Sequence, residues 1–161
     1  MTWQLRRATT DDLDPVMVLE NAIYPDDAWS AQNMAAELAN AHAHYLVAVD
    51  GADDGAHAIV GYAGLLAPIG TGQGDIQTVT VAPEARRQGL ARTLMLQLIN
   101  EARRRGAEEL FLEVRVDNES AQALYRELGF ETVSVRKRYY KGGIDALTMK
   151  LVVAAPKLGL A

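Results

Sequence analysis

The sequence predicts an α/β domain built around a mixed sheet. Strand-like and helix-like segments follow one another in the order β-α-α-β-β-β-α-β-α-β-β. The second half holds two consecutive strand–helix–strand units, which argues for parallel neighbours there, because such units return the chain in the same direction. At 161 residues, 49% of them hydrophobic, the chain suits one domain with one sizeable core. That domain is expected over residues 1–152, with 153–161 as a flexible tail.

The elements follow in order. Residues 3–8 read as the first strand. Thr9, Thr10, Asp11 and Asp12 offer an N-cap and an acidic first turn for a helix to about residue 22. Tyr24-Pro25-Asp26-Asp27 breaks that helix, and Ser30 caps a second one running to about residue 39. A strand over 45–49 leads into a polar turn, rich in Gly and Asp, over 50–57. The next strand covers 59–66, the glycine-rich stretch 70–74 reads as a hairpin loop, and another strand covers 76–81. A helix over about 89–105 sets Leu90, Leu94, Leu98 and Ala102 on one stripe, with Met95 and Ile99 alongside. Gly106 ends it. A strand over 110–115, a short helix over 120–128 capped by Gly129, and strands over 130–135 and 146–152 complete the pattern.

Composition narrows the function. No stretch approaches the roughly 18 apolar residues of a membrane span. The first residues lack the apolar core of a signal peptide, so a cytoplasmic address is expected. The chain contains no cysteine, which excludes disulfides, thiolate metal sites and a cysteine nucleophile. The net charge of −5 hides an asymmetry: residues 1–75 hold two basic and eleven acidic side chains, residues 76–161 fourteen basic and ten acidic. Such halves either face partners of opposite sign or are simply solvated surface. The acidic balance disfavours direct nucleic-acid binding. His42, His44 and His57 lack the spacing of a metal site, so no metal is assigned.

The run from Val79 to Arg92 carries the sharpest signal. A β-branched strand, a proline-marked turn and a basic loop with one glycine lead into the long helix. Such a loop aims several amides and a helix N-terminus at one spot, which suits an anion. The P-loop pattern G-x-x-x-x-G-K-[ST] is absent, the glycine-rich stretch 70–74 precedes a strand rather than opening a helix, and no G-x-S-x-G occurs. What is present is [Arg or Gln]-x-x-Gly-x-[Gly or Ala], as Arg86-Arg87-Gln88-Gly89-Leu90-Ala91. This resembles the coenzyme A pyrophosphate loop of the GNAT superfamily of N-acetyltransferases. Leu112-Glu113-Val114-Arg115, Asn118, Ala121-Gln122-Ala123-Leu124-Tyr125 and Gly129-Phe130 resemble the second half of a GNAT domain. With Arg138-Tyr139-Tyr140 and Asp145-Ala146, they are similar to ribosomal-protein-alanine N-acetyltransferases of the RimI type. In the N-terminal third only Ala28-Trp29-Ser30 matches, and alanine stands where that family usually has proline.

The resemblance implies a GNAT fold: a central, mostly antiparallel sheet with one parallel pair at the acetyl-CoA site. It implies that backbone groups of Val79, Thr80 and Val81 bind the donor and that one amide stabilises the oxyanion. Read as residues alone, Val79 and Val81 are core strand positions, and both readings hold together. The amides of Arg87, Gln88, Gly89, Leu90, Ala91 and Arg92 would cradle the pyrophosphate, with Gly89 letting the backbone approach closely. The side chains of Arg87 and Arg92 are either added charge at the phosphate or a solvated helix start.

Glu113 shares a strand face with Phe111 and Arg115, and by itself reads as a solvated or Arg115-paired carboxylate. The family pattern implies that it is the general base, taking the proton that blocks attack by an ammonium of pKa about 7.7–8.0. Tyr125 lies on the stripe Ala121, Leu124, Tyr125, Leu128 and reads as a core aromatic. The pattern implies that it protonates the departing thiolate, a phenol of pKa about 10 beside a thiol of about 8.5. Asn118 is an N-cap, to which the family adds a cofactor contact. Tyr24, Trp29, Tyr139 and Tyr140 are candidates to line a peptide groove, and each is otherwise an ordinary aromatic.

The resulting expectation is a monomeric enzyme using acetyl-CoA to acetylate the N-terminal alanine of a small-subunit ribosomal protein, by direct attack in a ternary complex. The acidic Asp26 and Asp27 near Trp29 would suit a cationic N-terminus followed by basic residues. The rivals are a GNAT acting on a small-molecule amine and a catalytically silent acyl-CoA sensor.

Overall fold

A computed structural model describes residues 2–51 and 58–153. Most of the turn expected over 50–57, with His57, and the tail from 154 lie outside the described residues. The elements are β1 (Trp3–Arg7), a 3-10 turn (Thr10–Asp12), α1 (Leu13–Ile23), α2 (Ala31–Ala39), β2 (Ala43–Asp50), β3 (Ile59–Leu66), β4 (Gln73–Val81), a second 3-10 turn (Pro83–Ala85), α3 (Leu90–Arg104), β5 (Glu109–Arg115), α4 (Glu119–Glu127), β6 (Glu131–Tyr140) and β7 (Ile144–Val152). The strands form one sheet in the order β1-β2-β3-β4-β5-β7-β6. Every neighbouring pair is antiparallel except β4 with β5.

Local chemistry starts the helices where the sequence places the caps. The Asp12 carboxylate accepts from the Thr9 amide at 2.8 Å and completes a capping box with the Thr9 side chain. Arg6 grips the same carboxylate through two bonds of 2.7 and 2.8 Å, tying β1 to the start of α1. Ser30 caps α2 by accepting from the Asn33 amide at 3.0 Å. Asp12→Ala is expected to cost about 1–2 kcal/mol, the usual loss for a removed cap, with the strand-to-helix tie lost as well. The Arg6 hydrogen bond, helped by the Thr9 amide, holds the Asp12 carboxyl below its ordinary value. Its stabilisation is therefore full above the unfolded value of about 3.9 and drains as pH falls through the lower native one. Thermal melts from pH 7 to 3 should show the gap between wild type and variant shrinking only in the acid range.

The expected stripe on α3 is buried, with Leu90, Leu94, Met95, Leu98 and Ala102 each at most 1% exposed. Adjacent residues of β3 show how the helices are distributed. A Cβ on Gly61 would meet the Leu90 side chain of α3 at 3.1 Å, whereas the next side chain, Tyr62, reaches Glu20 of α1. Successive strand residues point to opposite faces, so α1 and α3 cover opposite sides of the sheet.

The feature that shapes the site is the junction of β4 and β5. They pair only at Gln73↔Glu109, Gly74↔Leu110 and Asp75↔Phe111. Beyond that point β4 stays with β3 as far as Val81, and β5 stays with β7 as far as Arg115. The register of β4 against β3 slips between Ile76 and Thr78, leaving Gln77 as an extra residue. Such a bulge bends and twists its strand, and here it lies just beyond Asp75, the last residue of β4 that pairs with β5. The sheet therefore splits into two blocks, β1–β4 and β5–β7, joined at one end and open at the other.

Three expectations about the elements are corrected. Strand β4 begins at Gln73, so Gly74 belongs to the strand rather than to a loop. A Cβ there would lie 2.8 Å from Leu110 Cδ2, so this glycine allows close packing where the two blocks join. Strand β6 continues to Tyr140, because it pairs with β7 again at Tyr140↔Ile144 beyond an irregularity after Arg136, where Arg138 takes a φ of 54° and its amide donates to the Asp145 carboxylate at 2.9 Å. The strand–helix–strand unit β5-α4-β6 does not end in neighbours, since β7 inserts between them. Burial explains the order: β7 carries the buried Ala146 and Met149, whereas β6 is exposed from 131 to 139 and takes the edge.

Candidate active site

One mouth of the opened gap is the loop between β4 and α3. Arg87 and Gly89 both take positive φ, 63° and 80°, which turns the chain sharply into the helix. A left-handed conformation costs a non-glycine residue roughly 1–2 kcal/mol, so the loop shape is held against strain at Arg87. The amides of residues 87–92 find no hydrogen-bond partner among the described residues. Nothing lies within 4 Å of where a Gly89 Cβ would stand. The loop thus presents a concave set of free donors at the positive end of α3, a cradle for an anion. Leu90 anchors it, with its side chain 1% exposed. The basic side chains divide their work: Arg86 Nε donates to the Val81 carbonyl at 3.1 Å, Arg92 pairs with Glu127 of α4, and Arg87 stays exposed. Gln88 donates to the Glu84 carbonyl at 3.3 Å.

Along the gap, Val79 and Val81 are partly buried against the core, and Thr80 is buried. Past Asp75 the edge of β4 that faces β5 has no strand partner, which leaves backbone donors and acceptors available in the gap.

The wider end is a cleft of about 320 Å³, whose walls include Val79, Glu113, Asn118 and Tyr125. Glu113 Oε2 accepts from the Thr148 hydroxyl at 2.6 Å, and Oε1 lies 3.7 Å from Arg136. Its side chain is 24% exposed. Arg115 is taken by Asp117 at 2.9 Å and lies 3.7 Å from Asp27, so a Glu113–Arg115 pair does not form. Tyr125 packs its ring on Phe130 with centroids 6.0 Å apart. Burial, reinforced by Tyr24 and Tyr140, pushes its phenol well above the ordinary value, and its hydroxyl has no hydrogen-bond partner among the described residues. Asn118 Oδ1 accepts from the Ala121 amide at 3.2 Å, the cap expected of it, while the residue also lines the cleft.

Tyr24, Trp29, Tyr139 and Tyr140 all reach this cleft. Tyr24 shares a hydrogen bond of 3.1 Å with Thr80. Tyr139 and Tyr140 meet edge to face at 5.0 Å, with Arg136 over the first ring and Arg115 over the second. Burial pushes the Tyr140 phenol up to about 12, with Tyr139 and Glu113 adding to the effect. Lys141 donates to the Asp26 carbonyl at 2.9 Å, linking the β6–β7 turn to the α1–α2 loop, and the Arg115–Asp27 pair links the end of β5 to the same loop.

Sequence reasoning missed Glu20. It is 2% exposed, lines the cleft, accepts from the Trp29 amide at 2.9 Å and is held by the Tyr62 hydroxyl. Burial, with Glu20 next, pushes the Tyr62 phenol far up, so this pair stays a neutral donor and an acceptor. The available signal was a carboxylate on the buried stripe of α1, beside Val16 and Leu19. Glu20 fixes where Trp29 stands.

A splayed sheet thus has an amide cradle at one mouth and a carboxylate and a phenol at the other. The model of the acetyltransferase (GNAT) family matches residues 11–130, and the chain belongs to that family. The chain is 38% identical over 128 residues to the N-alpha-acetyltransferase RimI of Mycobacterium tuberculosis, covering 78% of this chain and 76% of that protein. It is 32% identical over 151 residues to a putative ribosomal protein bS18-alanine N-acetyltransferase of Bacillus subtilis, covering 92% and 95%. The crystal structure of the ribosomal-protein-S18-alanine N-acetyltransferase from Escherichia coli matches over 99% of each chain, with TM-score 0.82 and 26% identity. The expected GNAT fold is borne out.

Proposed function

We propose that this acetyltransferase moves an acetyl group from acetyl-CoA to the α-amino group of a protein N-terminus, with the N-terminal alanine of ribosomal protein bS18 as substrate. The observation that carries the reading is the gap between β4 and β5, with free amides at one end and Glu113 and Tyr125 at the other. The amides of residues 87–92 bind the pyrophosphate, and the free edge of Val79, Thr80 and Val81 binds the amides of the pantetheine arm. Backbone N–H groups on that edge supply the donors an oxyanion needs, preorganised and shielded from water.

The two titratable groups then take opposite roles. Glu113 removes a proton from the incoming ammonium, directly or through a water, so that the nitrogen lone pair can attack the thioester carbon. The C–N bond forms, the C–S bond breaks, and Tyr125 gives its proton to sulphur. With its pKa raised, Tyr125 remains protonated at physiological pH and therefore serves as donor rather than base. Asn118 fixes the start of α4, and so the position of Tyr125, while its amide group faces the donor. Tyr24, Trp29, Tyr139 and Tyr140 hold the first residue of the peptide. The Lys141–Asp26 link spans the cleft above it, which favours a thin chain end.

The direct test uses acetyl-CoA with peptides beginning Ala-Arg, alongside N-blocked peptides containing lysine, and maps the product by mass spectrometry. Acetylation of the α-amine is expected. Products on lysine alone would overturn the substrate, and donor binding without turnover would instead mark a sensor. Tyr125→Phe is expected to lower kcat roughly 10²-fold with little change in acetyl-CoA affinity, since the phenol ring and its packing on Phe130 survive. A kcat within twofold of wild type would remove Tyr125 from the chemistry.

A further inference from the structure

Glu113 meets two side chains that do not themselves line the cleft, and they approach different oxygens. Its Oε2 accepts from the Thr148 hydroxyl at 2.6 Å, while Oε1 lies 3.7 Å from Arg136. The sheet sets the first of these contacts. Glu113 of β5 and Thr148 of β7 stand directly opposite in register, so their side chains share a face of the sheet. Threonine is stiff about its first side-chain bond, which limits where the hydroxyl points.

The two contacts are unequal. A separation of 2.6 Å is that of a hydroxyl donating to an ionised carboxylate, a short and charge-assisted bond. Arg136 offers less, because 3.7 Å is beyond a direct hydrogen bond and its side chain is 56% exposed, where an ion pair contributes little. The carboxylate is therefore fixed through Oε2. Among the described residues Oε1 accepts no hydrogen bond, and the Glu113 side chain keeps 24% exposure. One oxygen is tethered and the other is left open to receive a proton.

We infer that Thr148 is a positioning residue for this site: its hydroxyl holds Oε2 so that Oε1 is presented to the nitrogen of the substrate. The inference rests on the α-amino acetylation reading, in which Glu113 is the base, and adds to it the group that aims that base. Thr148 acts through Glu113 alone. Without the hydroxyl the carboxylate is free to turn and close on Arg136, which spends its lone pairs on a guanidinium instead of the substrate. The loss then falls on proton transfer rather than on binding, since neither Thr148 nor Arg136 lines the cleft.

The test sets Thr148→Val, which keeps the branched shape and removes the hydroxyl, beside Thr148→Ser, which restores a donor. With acetyl-CoA and a peptide beginning Ala-Arg, Thr148→Val should lower kcat roughly 10-fold and leave both KM values within about twofold, the pattern of a misplaced catalytic group. The acid limb of its kcat/KM profile should move up by about half a pH unit, because losing a donor disfavours the ionised carboxylate. Arg136, and the Tyr140 phenol that Glu113 helps to raise, are the ionisable groups interacting with that carboxylate, and both are retained in every variant. Thr148→Ser should recover kcat to within about threefold of wild type. In the Glu113→Gln background Thr148→Val should cost no more than about twofold further, because the base it serves is already gone.

A Thr148→Val enzyme with the kcat and acid limb of wild type would overturn the role. So would a serine variant no better than the valine one, or the full loss repeated in the Glu113→Gln background. If wild type acetylates lysine alone, the α-amino reading falls, while the same variants assayed on the lysine peptide still decide the role of Thr148. Absence of turnover with every peptide would overturn both.

Discussion

Glu113→Gln is expected to lower kcat by roughly 10²–10⁴-fold, the usual worth of a positioned general base. Gln keeps the shape, and its amide oxygen still accepts from Thr148, so the strand register Glu113↔Thr148 and the fold should persist. The affinity for acetyl-CoA should barely move, because the cradle lies at the opposite mouth of the gap. The pH dependence separates a base from a structural residue. In the variant only amine already free in solution can react, so the residual rate should climb with pH until the peptide amine is titrated near 7.7–8.0. Turnover that is unchanged across pH would assign deprotonation elsewhere, and Glu20 and Asp27, the other carboxylates lining the cleft, would be examined next. An equal fall in donor affinity would show instead that the substitution had disturbed the sheet.

The parts of this molecule that were legible from the sequence are those encoded locally. The caps at Thr9 and Ser30, the α3 stripe and the break at Pro25 each depend on residues within one or two turns of one another, and each stands where expected. The anion cradle was legible for the same reason, being a run of six consecutive residues whose backbone does the work. What was not legible depends on long-range pairing. That Gly74 belongs to a strand follows only once Leu110 lies against it, and the central place of β7 only once its burial is compared with that of β6. Glu20 was hidden because its partners, Trp29 and Tyr62, are 9 and 42 residues away. The side proposed to face the peptide consists of such distant meetings: Lys141 crosses to Asp26 over 115 residues. The proposed donor site is thus written in one segment, whereas the proposed substrate side is assembled from several.

A paired substitution at Gly89 isolates the donor side. Asn and Asp both tolerate the left-handed φ of 80° better than other side chains, and the protein offers a new Cβ nothing to strike within 4 Å. Gly89→Asn and Gly89→Asp should therefore lose similar stability, about 1 kcal/mol each, from backbone strain alone. They differ in one charge, placed at the mouth where the free amides of residues 87–92 are proposed to meet the pyrophosphate. At about 5 Å and an effective dielectric between protein and water, a carboxylate opposing two phosphate charges raises the KM for acetyl-CoA roughly 10²-fold over the Asn variant. At saturating donor the two kcat values should converge, since Glu113 and Tyr125 stand at the far end of the gap. Raising ionic strength should narrow the difference in KM, because the screening length shortens from roughly 8 Å at physiological salt to about 3 Å at 1 M. Equal KM values in the two variants would mean that the loop carries no phosphate, and the amides would then need another anion to account for their exposure.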